Sequence, residues 1–173
     1  SMLAIGWQRF LPNAIFLCPD APERCAINPK GYQWFDLESE KESIIFEKSL
    51  VAEEKLSKFL DQILDDFQLE SINLALVCFS QGCMMSIQTG LKKKEQINSL
   101  IGYSGKIINQ SHLSENINSK PKIFLMHGAN DSIVPSDHLL ESKEYLQKHK
   151  IKVKTKLFNN CEHRIPVEGS SLG

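Results

Sequence analysis

Val77-Cys78-Phe79-Ser80-Gln81-Gly82-Cys83-Met84 is the stretch on which the fold turns. Asn73 to Phe79 is a short run, apolar on both faces, and reads as a buried strand. From Gln81 the pattern reads as a helix ending near Lys92, Lys93 and Lys94, whose charges suit its negative end. Ser80 stands at the join. A serine hydroxyl is a poor nucleophile at neutral pH, so it must project from a tight turn toward a base while backbone N–H groups face the developing oxyanion. The small residues around Ser80 let strand and helix approach closely, and the helix N-terminus adds partial positive charge. A plainer reading stands beside this one: Ser80 only caps the helix that begins at Gln81.

Upstream, Ala14-Ile-Phe-Leu-Cys18 is an apolar run closed by Pro19-Asp20-Ala21-Pro22 and reads as a buried strand entering a loop. The loop continues to an aromatic cluster at Tyr32, Trp34 and Phe35. From Ser39 to Phe67 apolar residues recur at helical spacing among acids and lysines, which predicts one amphipathic helix or two joined ones. Downstream, Ser99 to Ser104, Lys122 to Met126 and Lys152 to Phe158 are strand candidates, with a helix from about Ser136 to His149. The alternation predicts an α/β fold with a mainly parallel sheet and helices on both faces. The last strand alternates lysines with apolar residues and suits an edge with one wetted face.

Two of these loops carry further chemistry. His127-Gly128-Ala129-Asn130-Asp131 puts a carboxylate after the Lys122 to Met126 strand, and Asn159-Asn160-Cys161-Glu162-His163 puts an imidazole after the last one. Serine, acid and histidine thus follow in chain order, each at the carboxyl end of a strand, where open α/β sheets keep their sites. In that arrangement His163 takes the Ser80 proton and returns it to the leaving group, while Asp131 holds the imidazole tautomer and stabilises its cation. Glu162 is a rival acid, though a sequence neighbour rarely reaches the adjacent ring nitrogen. Asp131 as a turn-forming residue before Pro135 is the plain alternative.

The chain has 173 residues, 42% of them hydrophobic, enough for one ordinary core, and no repeat or Gly/Ser-rich linker divides it. One domain over 1–173 is expected. Twenty basic and 21 acidic residues leave a formal charge of -1, so no strong field exists to hold nucleic acid or an anionic surface. No apolar run approaches the roughly 20 residues of a membrane span. Five cysteines without paired spacing predict reduced thiols in a cytoplasmic protein, with neither a disulfide framework nor a zinc site.

Cys18-Pro-Asp-Ala-Pro22, Trp34-Phe-Asp36, Phe79-Ser-Gln-Gly82, the run from His127 to Pro135 and Glu162-His163 together resemble the phospholipase/carboxylesterase family, which includes the acyl-protein thioesterases. The resemblance spans nearly the whole chain. It implies an α/β-hydrolase fold, hydrolysis of carboxylic esters or thioesters with medium to long acyl chains, and no metal or organic cofactor. An acylated protein or a lysophospholipid falls within that substrate class. The resemblance also places Ser80, Asp131 and His163 on the family's catalytic triad and the Gln81 backbone N–H on one oxyanion donor. Trp34, Phe35, Ile133 and Val134 are candidates for an acyl-binding wall, with core packing as the alternative.

The sequence departs from the family pattern in three ways. It has no H-G-x-G turn to supply a second oxyanion donor, so the family's N-terminal strands are expected to be lacking. It stops where the family continues into a C-terminal helix. Cys78 and Cys83 stand beside the elbow where glycines are usual. The uncovered sheet edge that follows from the first departure predicts homo-oligomerisation or low stability. A truncated hydrolase-like protein, binding an acyl ligand or a protein partner without efficient turnover, therefore stands as the second functional reading. Met84 and Met85 are expected to pack the helix, and His112, His138 and His149 to lie on the surface. His127 is expected to shape the turn that bears Asp131.

Overall fold

A computed structural model describes residues 2–25, 28–36 and 41–172. The elements follow as α1 (Met2–Gln8), a two-residue hairpin pair β1 (Glu23–Arg24) and β2 (Tyr32–Gln33), α2 (Glu42–Asp66), β3 (Ala75–Phe79), α3 (Gln81–Lys92), β4 (Ser99–Tyr103), α4 (Gln110–Ser114), β5 (Lys122–Gly128), α5 (Asp137–Lys148), β6 (Val153–Phe158) and α6 (Val167–Leu172). The strands β3, β4, β5 and β6 lie side by side in that order, all parallel. Each returns through a helical crossover, so all their carboxyl ends and following loops fall on one edge of the sheet.

Parallel register sorts the strand residues into two faces. Leu76, Leu100, Ile123 and Val153 stand in one row, and Val77, Ile101, Phe124 and Lys154 in the next. The first face carries the main core: Leu76, Leu100, Ile123 and Leu125 pack with Leu56 and Leu60 of α2, Met85 and Ile87 of α3, and Leu146 of α5. On the second face Tyr103, Met126 and Phe158 form a smaller cluster with Cys161. There the Tyr103 hydroxyl donates to the Gly169 carbonyl of α6 at 3.0 Å, and the Trp7 indole ties α1 to Ser170 at 2.7 Å. Helices thus meet both faces, heavily on one and thinly on the other.

The 39–67 pattern forms a single helix of 25 residues, with Ala52, Leu56, Leu60 and Leu64 buried at helical spacing. Its seam against α3 also carries Glu53, which pairs with Lys92 at 2.6 Å and accepts from Gln88 at 2.5 Å, while Lys93 pairs with Asp61. The lysines that close α3 therefore bind carboxylates of α2 as well as suiting the helix end.

Three expectations are corrected. Ala14–Cys18 is no strand: it joins no sheet among the described residues, with Ile15 58% and Leu17 45% exposed. A strand needs a neighbour to hydrogen-bond, and among the described residues β3 pairs only with β4. β3 is not buried on both faces either, because its second face has thin cover and Val77 is 42% exposed. Where no C-terminal helix was expected, Val167–Leu172 form the six-residue α6.

Candidate active site

Ser80 links β3 to α3 with φ 53° and ψ -124°, a conformation that L-residues avoid and that tight functional turns hold by surrounding contacts. Its N–H donates to the Tyr103 carbonyl of β4 at 2.8 Å, and its carbonyl accepts from Cys83 and Met84 N–H at 2.9 and 3.2 Å. The side chain makes no capping bond to the helix. Instead the Ser80 hydroxyl lies 2.8 Å from Nε2 of His163. The capping alternative is therefore not what the hydroxyl does.

The elbow accommodates two sulfurs by a device the linear sequence does not announce. The Cys83 side chain fills space at Gly102 and Gly105, where an added methyl would overlap its Sγ. The glycines that Cys83 displaces from the elbow thus reappear as small residues on β4 and just beyond it. Cys78 turns its Sγ toward the Ile101 carbonyl at 3.3 Å.

The His163 ring sits between Ser80 and Asp131. Its Nδ1 lies 2.8 Å from Oδ2 and 3.0 Å from Oδ1 of Asp131, and Phe79 packs against the ring with centroids 4.8 Å apart. Asp131 Oδ1 also accepts from the Ile133 and Val134 N–H groups at 3.0 and 2.9 Å. Burial alone would raise this carboxyl, but the Val134 N–H and the imidazole outweigh it, and Asp131 titrates below the ordinary carboxylate value. It faces His163 as an anion. Asp131 both shapes the turn and reaches the ring, because its backbone bonds are made through Oδ1 and Oδ2 lies against Nδ1. Glu162 is exposed and is not the partner of the ring.

His127 is buried at the end of β5, with Nε2 2.8 Å from the Val134 carbonyl and 3.3 Å from Asp131 Oδ2. Burial pushes its pKa down against the pull of Val134 and Asp131, so the ring is neutral and its Nε2–H donates across the turn. At Gly128 an added methyl would overlap the Cys161 and Glu162 carbonyls, so the loop leading to His163 presses on bare backbone.

Beside Ser80 lies a cavity of ≈ 170 Å³ whose walls include Phe35, Ile133 and Val134. Trp34 does not line it: its backbone N–H donates to Gln81 Oε1 at 2.8 Å and its indole lies against Gly82. Gln81 Nε2 donates in turn to the Phe35 carbonyl at 2.8 Å, so one amide clamps the aromatic loop to the elbow. Met84, Lys106 and His138 also line the cavity. Met84 thus borders the cavity from its helix, and His138 reaches it while its side chain stays 27% exposed. Lys106 escaped notice although it follows β4, on the sheet edge where strand ends gather; that position was its available signal. No three His, Cys, Asp or Glu side chains gather as a metal cage among the described residues.

A parallel sheet feeding a strained serine turn into a helix, with acid and histidine on the next strand-end loops, defines an α/β-hydrolase. The chain belongs to the Phospholipase/Carboxylesterase family, whose model matches residues 2–170. It is similar to the crystal structure of esterase PE8, with 31% identity over 99% of this chain and 80% of that one at a TM-score of 0.94. It shares the fold of SOBER1 from Arabidopsis thaliana at 20% identity, covering 94% of this chain and 82% of that one with a TM-score of 0.80. It shares it also with Zea mays acyl-protein thioesterase 2, at 19% identity over 97% and 84% of the two chains and a TM-score of 0.65. The family is that of phospholipases and carboxylesterases.

Proposed function

We propose that the protein hydrolyses carboxylic ester or thioester bonds of small acyl substrates through a Ser80–His163–Asp131 triad and an acyl-enzyme. The hydrogen-bonded line from Oγ to Nε2 at 2.8 Å and from Nδ1 to Oδ2 at 2.8 Å carries this reading. Ser80 Oγ attacks the acyl carbon as His163 Nε2 takes its proton. The carbonyl oxygen gathers charge beside the Gln81 N–H at the tip of α3, where the Cys83 and Met84 N–H groups are already spent on Ser80. The imidazolium, held by anionic Asp131, protonates the leaving alcohol or thiol as the tetrahedral centre collapses. The same ring then activates water to release the acid. Nothing in this sequence of steps calls for a metal or an organic cofactor.

An acylated protein and a lysophospholipid are both carriers of such acyl groups and are included in the proposal. A cytoplasmic location belongs to it too, supported by five free cysteines. Among the described residues no helix is long and apolar enough to cross a membrane. A fluorophosphonate probe tests the reading directly. Wild type should label and Ser80→Ala should not, with hydrolysis of p-nitrophenyl esters falling ~10⁴-fold or more in the variant. Unlabelled wild type would reject it. A second reading, acyl binding without efficient turnover, uses the same Ser80–His163–Asp131 geometry. Labelling accompanied by negligible turnover of every ester and thioester tried is its signature.

A further inference from the structure

Lys106 is the feature of the cavity that an acyl-binding wall does not explain. Hydrocarbon needs only hydrocarbon around it, and Phe35, Met84, Ile108 and Val134 supply that. Lys106 nevertheless enters the same lining from Gly105-Lys106-Ile107, directly after β4, and is half-buried. Among the described residues no carboxylate lies within ion-pairing distance of it; the other lysines without one are exposed apart from Lys143, whereas the half-buried Lys48 and Lys92 and the buried Lys93 each have one. The other titratable group in the wall, His138, is already bonded through Nδ1 to Glu141 at 2.7 Å. An ammonium partly withdrawn from water beside apolar side chains, without a counter-charge, sits at a cost that a bound anion would relieve.

The cavity is also small and opens to solvent. At ≈ 170 Å³ it falls below the range of about 300–1,000 Å³ usual for ligand pockets and is close to a cavity of about 150 Å³ that holds benzene, so about six carbons fill it. We infer that Lys106 is a specificity-determining residue that receives a carboxylate or other anionic group of the substrate, carried within about six carbons of the scissile carbonyl. The preferred substrates are then charged esters or thioesters, such as half-esters of short dicarboxylic acids. This rests on the reading that Ser80 attacks the acyl group, because only that places the cavity next to the reacting carbon.

Two matched ester pairs test the inference, with released acid titrated at constant pH. Monoethyl adipate against ethyl hexanoate puts the charge on the acyl side; carboxymethyl butyrate against ethyl butyrate puts it on the alcohol side. In at least one pair the anionic-to-neutral ratio of kcat/KM should fall about tenfold in Lys106→Met and recover in Lys106→Arg. The pair that responds tells which side of the ester carries the anion. Ratios unchanged in both pairs would overturn the inference. Binding decides separately from turnover: calorimetric titration of Ser80→Ala with the two anionic esters should show at least one Kd weakened about tenfold on adding Lys106→Met. Equal affinity of both variants for both esters, or no binding of either ester to Ser80→Ala, would sink it. Failure of fluorophosphonate labelling and of neutral-ester hydrolysis strikes instead at the catalytic reading.

Discussion

His127 is buried and neutral beside an anionic carboxylate, and its charge state should be visible in stability. An unfolded histidine titrates near 6.5, and in the fold this one titrates lower. Between the two values the unfolded chain holds the extra proton, so stability must fall as pH is lowered through that window. His127→Gln, whose amide can still donate to the Val134 carbonyl, should flatten the decline between about pH 7 and about pH 5 in urea titrations. An unchanged slope would assign the acid sensitivity elsewhere. Gly128 makes a second prediction at this scale. Its missing side chain is what lets the 161–162 backbone close on β5, so Gly128→Ala should cost about 1–3 kcal/mol and move His163 off line. Urea midpoints read the first effect, and a loss of kcat exceeding any change in KM reads the second.

At the scale of elements, the contact of α3 with β4 is a volume exchange. Cys83 occupies what Gly102 and Gly105 leave empty, and the sulfur is buried. Gly105→Ala should therefore destabilise by about 1–3 kcal/mol through overpacking. Cys83→Ala, which on its own removes a buried sulfur, should restore part of that loss in the double variant. A double-mutant cycle of thermal or urea unfolding measures the coupling, and strict additivity would refute the exchange. The same contact shows what was legible and what was not. Strand, turn and helix around Ser80 were readable because apolar alternation and helical spacing are local. The partner of Cys83 was not, because Gly102 lies nineteen residues away in the chain and nothing in either neighbourhood names the other.

For the whole molecule, the uneven cover of the sheet is decisive. Among the described residues β3 is an edge of the four-stranded sheet, with Val77 42% exposed on it, and Ile15 and Leu17 are exposed in a segment that joins no sheet. Unpaired edges and exposed apolar side chains favour pairing with another copy. We expect a concentration-dependent mass in light scattering after gel filtration, and a Val77→Lys variant shifted toward monomer. A single monomeric mass at all concentrations would contradict this.

The sequence by itself determined the order of β3 to β6 with α2, α3 and α5, their parallel alternation and the three loops on which serine, carboxylate and imidazole sit. Those depend on periodicity, turn residues and chain order, which act over a few residues at a time. Only the tertiary structure decided that Ala14–Cys18 has no strand partner among the described residues, that Gln81 holds Trp34 at the elbow and out of the cavity wall, and that Lys106 and His138 face Ser80's cavity. Each of these depends on what another part of the chain brings within reach, and a residue's own neighbours carry no record of that.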